Sequence, residues 1–117
     1  MMSNYQAGMI EAISRLVAIS SVLSESKDYP FGPESDRCLD EALSMMAELG
    51  FRTFKAPDGM YGYAEIGEGE LFGVLCHLDV VQARREDGWE HDPFTPMVQD
   101  NWLCGRGTQD DKGPSVA

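Results

Sequence analysis

The run Leu71-Phe72-Gly73-Val74-Leu75-Cys76, which leads directly into His77-Leu78-Asp79-Val80-Val81, constrains this chain more than any other stretch. It is nearly continuous in apolar character, too short for a helix, and preceded by the turn tract Gly67-Glu68-Gly69-Glu70. Such a run predicts a strand buried on both faces. It is the third strand in a predicted order of helix, helix, strand, strand, strand, and that order predicts an α/β layered domain.

The flanking sequence supplies those layers. Residues 4–20 place Ile10, Ile13, Leu16, Val17 and Ser20 on the i, i+3, i+4 stripe of an amphipathic helix. Ser, Asp, Pro and Gly cluster from Ser24 to Pro33, which predicts a loop. A second helix is predicted from Pro33–Ser35 to Leu49, striped by Leu39, Leu43 and Met46, with Gly50 at the position of a left-handed cap. Strands are predicted over Phe51–Lys55 and Met60–Ile66, joined by the turn Ala56-Pro57-Asp58-Gly59. Met97–Gln99 and Trp102–Cys104 read as a hairpin across Asp100-Asn101. Gly113-Pro114-Ser115-Val116-Ala117 reads as the start of a helix, with Pro near its first turn. That ending predicts a fragment or a truncated gene product. There is no internal repeat, low-complexity segment or linker.

Composition enters through charge and cysteine. Nine basic against 20 acidic residues give a formal charge of −11, which argues against nucleic acid or an anionic membrane as partner. Cys38, Cys76 and Cys104 are odd in number and widely spaced, with no CxxC pair, so neither a zinc ribbon nor a disulfide framework is indicated. Reduced thiols, the absence of a signal peptide at the start and the lack of any uncharged apolar run of about 18 residues predict a cytoplasmic location.

Two tracts carry chemistry. In Cys76-His77-Leu78-Asp79-Val80-Val81, His77 is expected at the C-terminal end of the strand, the edge where ligands collect in α/β proteins. Asp79 is two residues on, so an extended backbone points both side chains the same way and lets the carboxylate hold one imidazole nitrogen while the other binds metal. The plain alternative is a histidine satisfied by hydrogen bonds in a strand-end turn. In Gly105-Arg106-Gly107-Thr108-Gln109-Asp110-Asp111-Lys112-Gly113-Pro114, two adjacent carboxylates repel unless cations or donors offset them, and flanking glycines allow a tightly turned backbone. Its plain alternative is a solvated polar loop in which Lys112 balances one charge. A phosphate cradle at Gly105-Arg106-Gly107 is disfavoured, because no GKS or GKT ending follows.

The ordered set HxDVV, Trp89 with Pro93-Phe94, and GRGTxDDKGP resembles the M20 metallopeptidases, which include aminoacylases, carboxypeptidases and dipeptidases. Tyr29-Pro30-Phe31-Gly32 and Tyr63-Ala64-Glu65-Ile66-Gly67-Glu68-Gly69 look like the PepV/Sapep-type dipeptidase branch. The resemblance implies that residues 1–117 are the N-terminal portion of a zinc-dependent exopeptidase catalytic domain, a mixed sheet flanked by helices. It implies that His77 binds one zinc, that Asp79 is the catalytic-site acid orienting His77, and that Asp110 bridges two Zn2+, with Mn2+ or Co2+ as substitutes. It also implies a cis bond between Asp110 and Asp111. Gln82 stands where the family usually has proline, and His91 has no counterpart as a ligand, so it is expected to be an exposed loop residue. Trp89 and Phe94 are expected to anchor loops rather than touch substrate.

The implied activity is hydrolysis of dipeptides or short peptides by a complete enzyme. The family's paired glutamates, its further ligands and its lid have no match in these residues, and no Glu-Glu dipeptide occurs. The chain alone is therefore expected to be inactive, with the remainder of its catalytic domain missing. Two other readings stay open: an N-acyl amino acid deacylase on the same fold, and a non-catalytic truncated fragment.

Overall fold

The computed structural model describes residues 3–117. Helix α1 spans Asn4–Val17 and begins in a capping box, with Ser3 and Gln6 each satisfying the other's backbone N–H. Helix α2 spans Pro33–Glu48; Pro33 sits in its first turn, and Glu34 and Asp36 complement the positive end of its dipole. The two helices meet on their apolar stripes. Leu16, Ile19, Cys38 and Met45 form the buried cluster, with Ala12, Ala42, Leu78 and Val116 packed against it. Arg15 reinforces the contact at 2.7 Å from Glu41.

Strands β1 (Arg52–Lys55) and β2 (Gly62–Glu65) form an antiparallel ribbon against α2. Lys55 closes that seam, reaching Asp36 at 2.8 Å and Asp40 at 2.7 Å. Strands β3 (Met97–Gln99) and β4 (Trp102–Cys104) form the predicted hairpin. Asp100 and Asn101 both take positive φ, 51° and 66°, a conformation these two residue types tolerate and one that matches the twist of a tight hairpin. A short helix α3 (Lys112–Val116) ends the chain and packs on α1. The fold is therefore α/β, and it is a slab 46 × 46 × 19 Å, thick enough for one helix layer and one ribbon layer.

One expectation is overturned. Residues 71–76 form no strand and are not buried: Leu71 is 87% exposed, Phe72 89%, Val74 77% and Leu75 99%. An apolar run states what a segment requires, not what surrounds it. Among the described residues no strand pairs with it. Regular pairing begins only at Val80, which makes an isolated parallel bridge to Val22. The backbone carrying His77 is thus secured from its C-terminal side, where Leu78 and Val80 join the core.

Candidate metal centre

Two segments far apart in sequence converge beside that core. The backbone of Leu78 and Val80 is fixed by Ser21: its hydroxyl donates to the Leu78 carbonyl at 2.6 Å, and its carbonyl accepts from the Val80 N–H at 3.0 Å. This places His77 at the mouth of a cavity of about 310 Å³, lined also by Asp79, Val80, Trp89, Arg106 and Asp110. A larger groove of about 610 Å³ lies between α1 and the β3–β4 hairpin, but its walls are mostly apolar and amide side chains, with no histidine or carboxylate.

The imidazole is held at both nitrogens. Nδ1 lies 3.2 Å from Asp79 Oδ1 and 3.2 Å from the Asp79 carbonyl. Both are acceptors, so in a neutral ring with the proton on Nδ1 these two bonds are satisfied and Nε2 keeps its lone pair for a cation shared with Asp110. Nε2 faces Asp110 Oδ1 at 3.1 Å. Asp111 is occupied differently: its Oδ2 accepts from the His77 N–H at 3.1 Å and from Ser115 Oγ at 3.2 Å. The peptide bond between the two aspartates is cis. Of the pair, Asp110 keeps its carboxylate toward the cavity while Asp111 ties the loop to the His77 backbone.

His77, Asp110 and Asp111 bring donor atoms within 4.8 Å of one another, the one such cluster of three among the described residues. An imidazole nitrogen with carboxylate oxygens suits Zn2+ and tolerates Mn2+ or Co2+. The 3.1 Å between Nε2 and Oδ1 is short enough for both to bind one ion at ordinary bond lengths of about 2.0–2.2 Å. The donor set therefore fits a divalent cation.

Desolvation pulls the His77 pKa down, but the Asp79 carbonyl and carboxylate, with Asp111, outweigh it and leave the value raised above 6.5. The folded chain therefore holds the proton on this ring more tightly than the unfolded chain does. The stabilising contribution of the protonated ring is complete below the unfolded value and is lost as pH rises through the raised one. A ring-nitrogen NMR titration of the metal-free chain is expected to place His77 above the ordinary histidine value, and Asp79→Asn to lower it. An unchanged titration in Asp79→Asn would show that Asp79 does not hold the ring.

Three further residues were not evident from sequence. Lys112, expected to balance a charge in a solvated loop, is instead fully buried and donates to the Ile19 carbonyl at 2.7 Å. Its burial depends on a partner 93 positions away, beyond the reach of any local pattern. Ser21 is hidden for the same reason. Ser115 was legible in principle, since its hydroxyl bonds the carbonyl of Asp111 four residues back at 2.7 Å, a common habit of helical serines. His91 is corrected from an exposed loop residue. It is half-buried, edge-on to Trp89 at 5.7 Å between ring centres. Trp89 is half-buried beneath the Arg106 guanidinium at 5.5 Å, so it anchors its loop and also walls the cavity.

Known proteins share this arrangement of sequence. The sequence model of "Peptidase family M20/M25/M40" matches residues 73–117. A Staphylococcus epidermidis protein named "Putative dipeptidase" is 43% identical over 97% of this chain, and a Staphylococcus haemolyticus protein of the same designation is 41% identical over 97%. The chain spans about a quarter, 24%, of the length of those relatives. The crystal structure of human carnosine dipeptidase 1 superposes with a TM-score of 0.73 at 31% identity, over 96% of this chain and 27% of that one.

Proposed function

We propose, from a family match over residues 73–117 and a dipeptidase-named relative aligned over 97% of the chain, that it is the N-terminal portion, residues 1–117, of the catalytic domain of a metal-dependent dipeptidase. The observation that carries this reading is the imidazole held at Nδ1 by Asp79 with its Nε2 turned to Asp110. His77 and Asp110 would hold the metal, Asp110 as the carboxylate shared by two Zn2+, and Asp79 would fix the ring that binds. When bound, two such ions supply a Lewis acid for the scissile carbonyl and lower the pKa of a water.

The chain's own residues do the rest of what can be assigned to it. Asp79 keeps the proton on Nδ1, so Nε2 remains a ligand and not a donor. Asp111 and Ser115 lock the loop that presents Asp110. Val81 and Trp89 wall the cavity beside them. No residue here matches the family's general base in position. That base belongs with the remaining ligands on polypeptide beyond these residues, so the 117-residue chain is inactive by itself. The substrate is a dipeptide or short peptide, and the protein works in the cytoplasm. No described helix is long and apolar enough to cross a membrane.

The test is hydrolysis by the longer protein. Dipeptides should be cleaved, chelation should abolish turnover, and Zn2+, Mn2+ or Co2+ should restore it. Preferential cleavage of N-acyl amino acids would move the assignment to a deacylase. Dipeptide turnover by residues 1–117 with added Zn2+ would contradict the division of the site proposed here.

A further inference from the structure

His77 and Asp110 stand 33 positions apart, yet both are moored to the residues that follow α1. Ser21, with no exposed surface, grips the Leu78 carbonyl through its hydroxyl and the Val80 N–H through its own carbonyl. Lys112, equally buried, reaches the carbonyl of Ile19, two residues before Ser21. The Ile19 carbonyl already accepts from the Ser21 N–H at 2.9 Å, so the lysine is not required to satisfy it. Burying an amine that makes a single hydrogen bond is costly, and an apolar side chain of the same length would fill the space without that cost. A group kept at such expense calls for a role that packing alone does not supply.

We infer that Ser21 and Lys112 are positioning residues for the His77–Asp110 pair, with Ile19–Ser21 as their common anchor. Ser21 fixes the backbone that follows His77. Lys112 fixes the backbone that follows Asp110 and Asp111. The separation of the two proposed ligands is then set by the short stretch between Ile19 and Ser21, and the bond from the His77 N–H to Asp111 spans the gap between the two moorings. The inference rests on the proposed metal role for its consequence in binding, but its geometric half stands on the metal-free chain.

Ser21→Ala and Lys112→Met in the 117-residue chain separate these halves. Without metal, the His77 amide proton reports the bond to Asp111, and Asp111→Ala defines its unbonded shift. Both variants should move this proton at least half of the way to that reference, with the amide shifts of the α2 core unchanged. With Zn2+, calorimetry should show affinity reduced about tenfold or more in each variant, the size expected for loss of a supporting contact around a ligand. Lys112→Met should at the same time unfold at an equal or higher temperature, a split that a purely structural role does not produce. An unmoved His77 amide in both variants overturns the inference whatever the metal does. So does a shift accompanied by general change through the α2 core. Zn2+ binding that is insensitive to His77→Ala in the parent chain would instead defeat the metal reading, and the amide shifts alone would then decide the anchor.

Discussion

Replacing His77 by alanine should lower the affinity of the chain for Zn2+ on the order of 100-fold or more, because it removes the one imidazole in a three-residue donor cluster. The remaining donors are two carboxylates, of which Asp111 is already engaged by the His77 N–H and Ser115. An alanine at 77 retains that N–H, so the loop keeps its backbone tie and the loss is one of coordination rather than folding. Asp79→Asn should cost less, about 10- to 100-fold, since the ligand remains and only its orientation and basicity change. Asp110→Asn should fall with His77→Ala. The ordering is the informative part. If Asp111→Asn weakened binding as strongly as His77→Ala while Asp110→Asn left it intact, the roles of the two aspartates would be reversed. Isothermal calorimetry on the four variants, with thermal unfolding as the check on structure, decides it.

The elements that sequence made legible are those whose causes are local. Helix α1 follows from a 3.6-residue stripe, α2 from its stripe and Pro33, and the β3–β4 hairpin from two residues that accept positive φ. Each of those signals lies inside the element it specifies. The segment 71–76 failed because its cause is not local: apolarity on both faces is a requirement for neighbours, and nothing within the run provides them. The same distinction divides the site. His77, Asp79 and Asp110 were visible as chemistry at suggestive spacing. Their mutual placement depends on Ser21 and Lys112, whose hydrogen bonds reach 57 and 93 positions along the chain. The proposed ligands could be named from motif and resemblance, whereas what holds them required the packing of α1 against the loop.

Gly113→Ala should destabilise the chain by about 3 kcal/mol, against the direction that helix propensity alone predicts. Gly113 lies inside α3, where alanine is favoured over glycine by about 1 kcal/mol. A Cβ there would overlap the carbonyl oxygen of Thr108 and lie 3.0 Å from its carbonyl carbon. Those atoms are backbone, so they cannot swing aside as the tip of a side chain would. Thr108 is further fixed by its own hydroxyl, 3.0 Å from the Gly105 carbonyl. Relief requires opening the 107–113 loop, which breaks the Gly113 N–H to Gly107 carbonyl bond and shifts the backbone that presents Asp110. Overpacking of this kind costs about 1–3 kcal/mol or more, a large share of the stability of a domain this size. The matched control is Gly8→Ala in α1, where an added Cβ meets nothing within 4 Å. There the propensity gain stands unopposed, and stability should rise by about 0.5–1 kcal/mol. Urea denaturation of the two variants should therefore move in opposite directions, with Gly113→Ala also losing metal affinity. A Gly113→Ala chain as stable as Gly8→Ala would mean that α3 and Thr108 do not pack as closely as the structure places them.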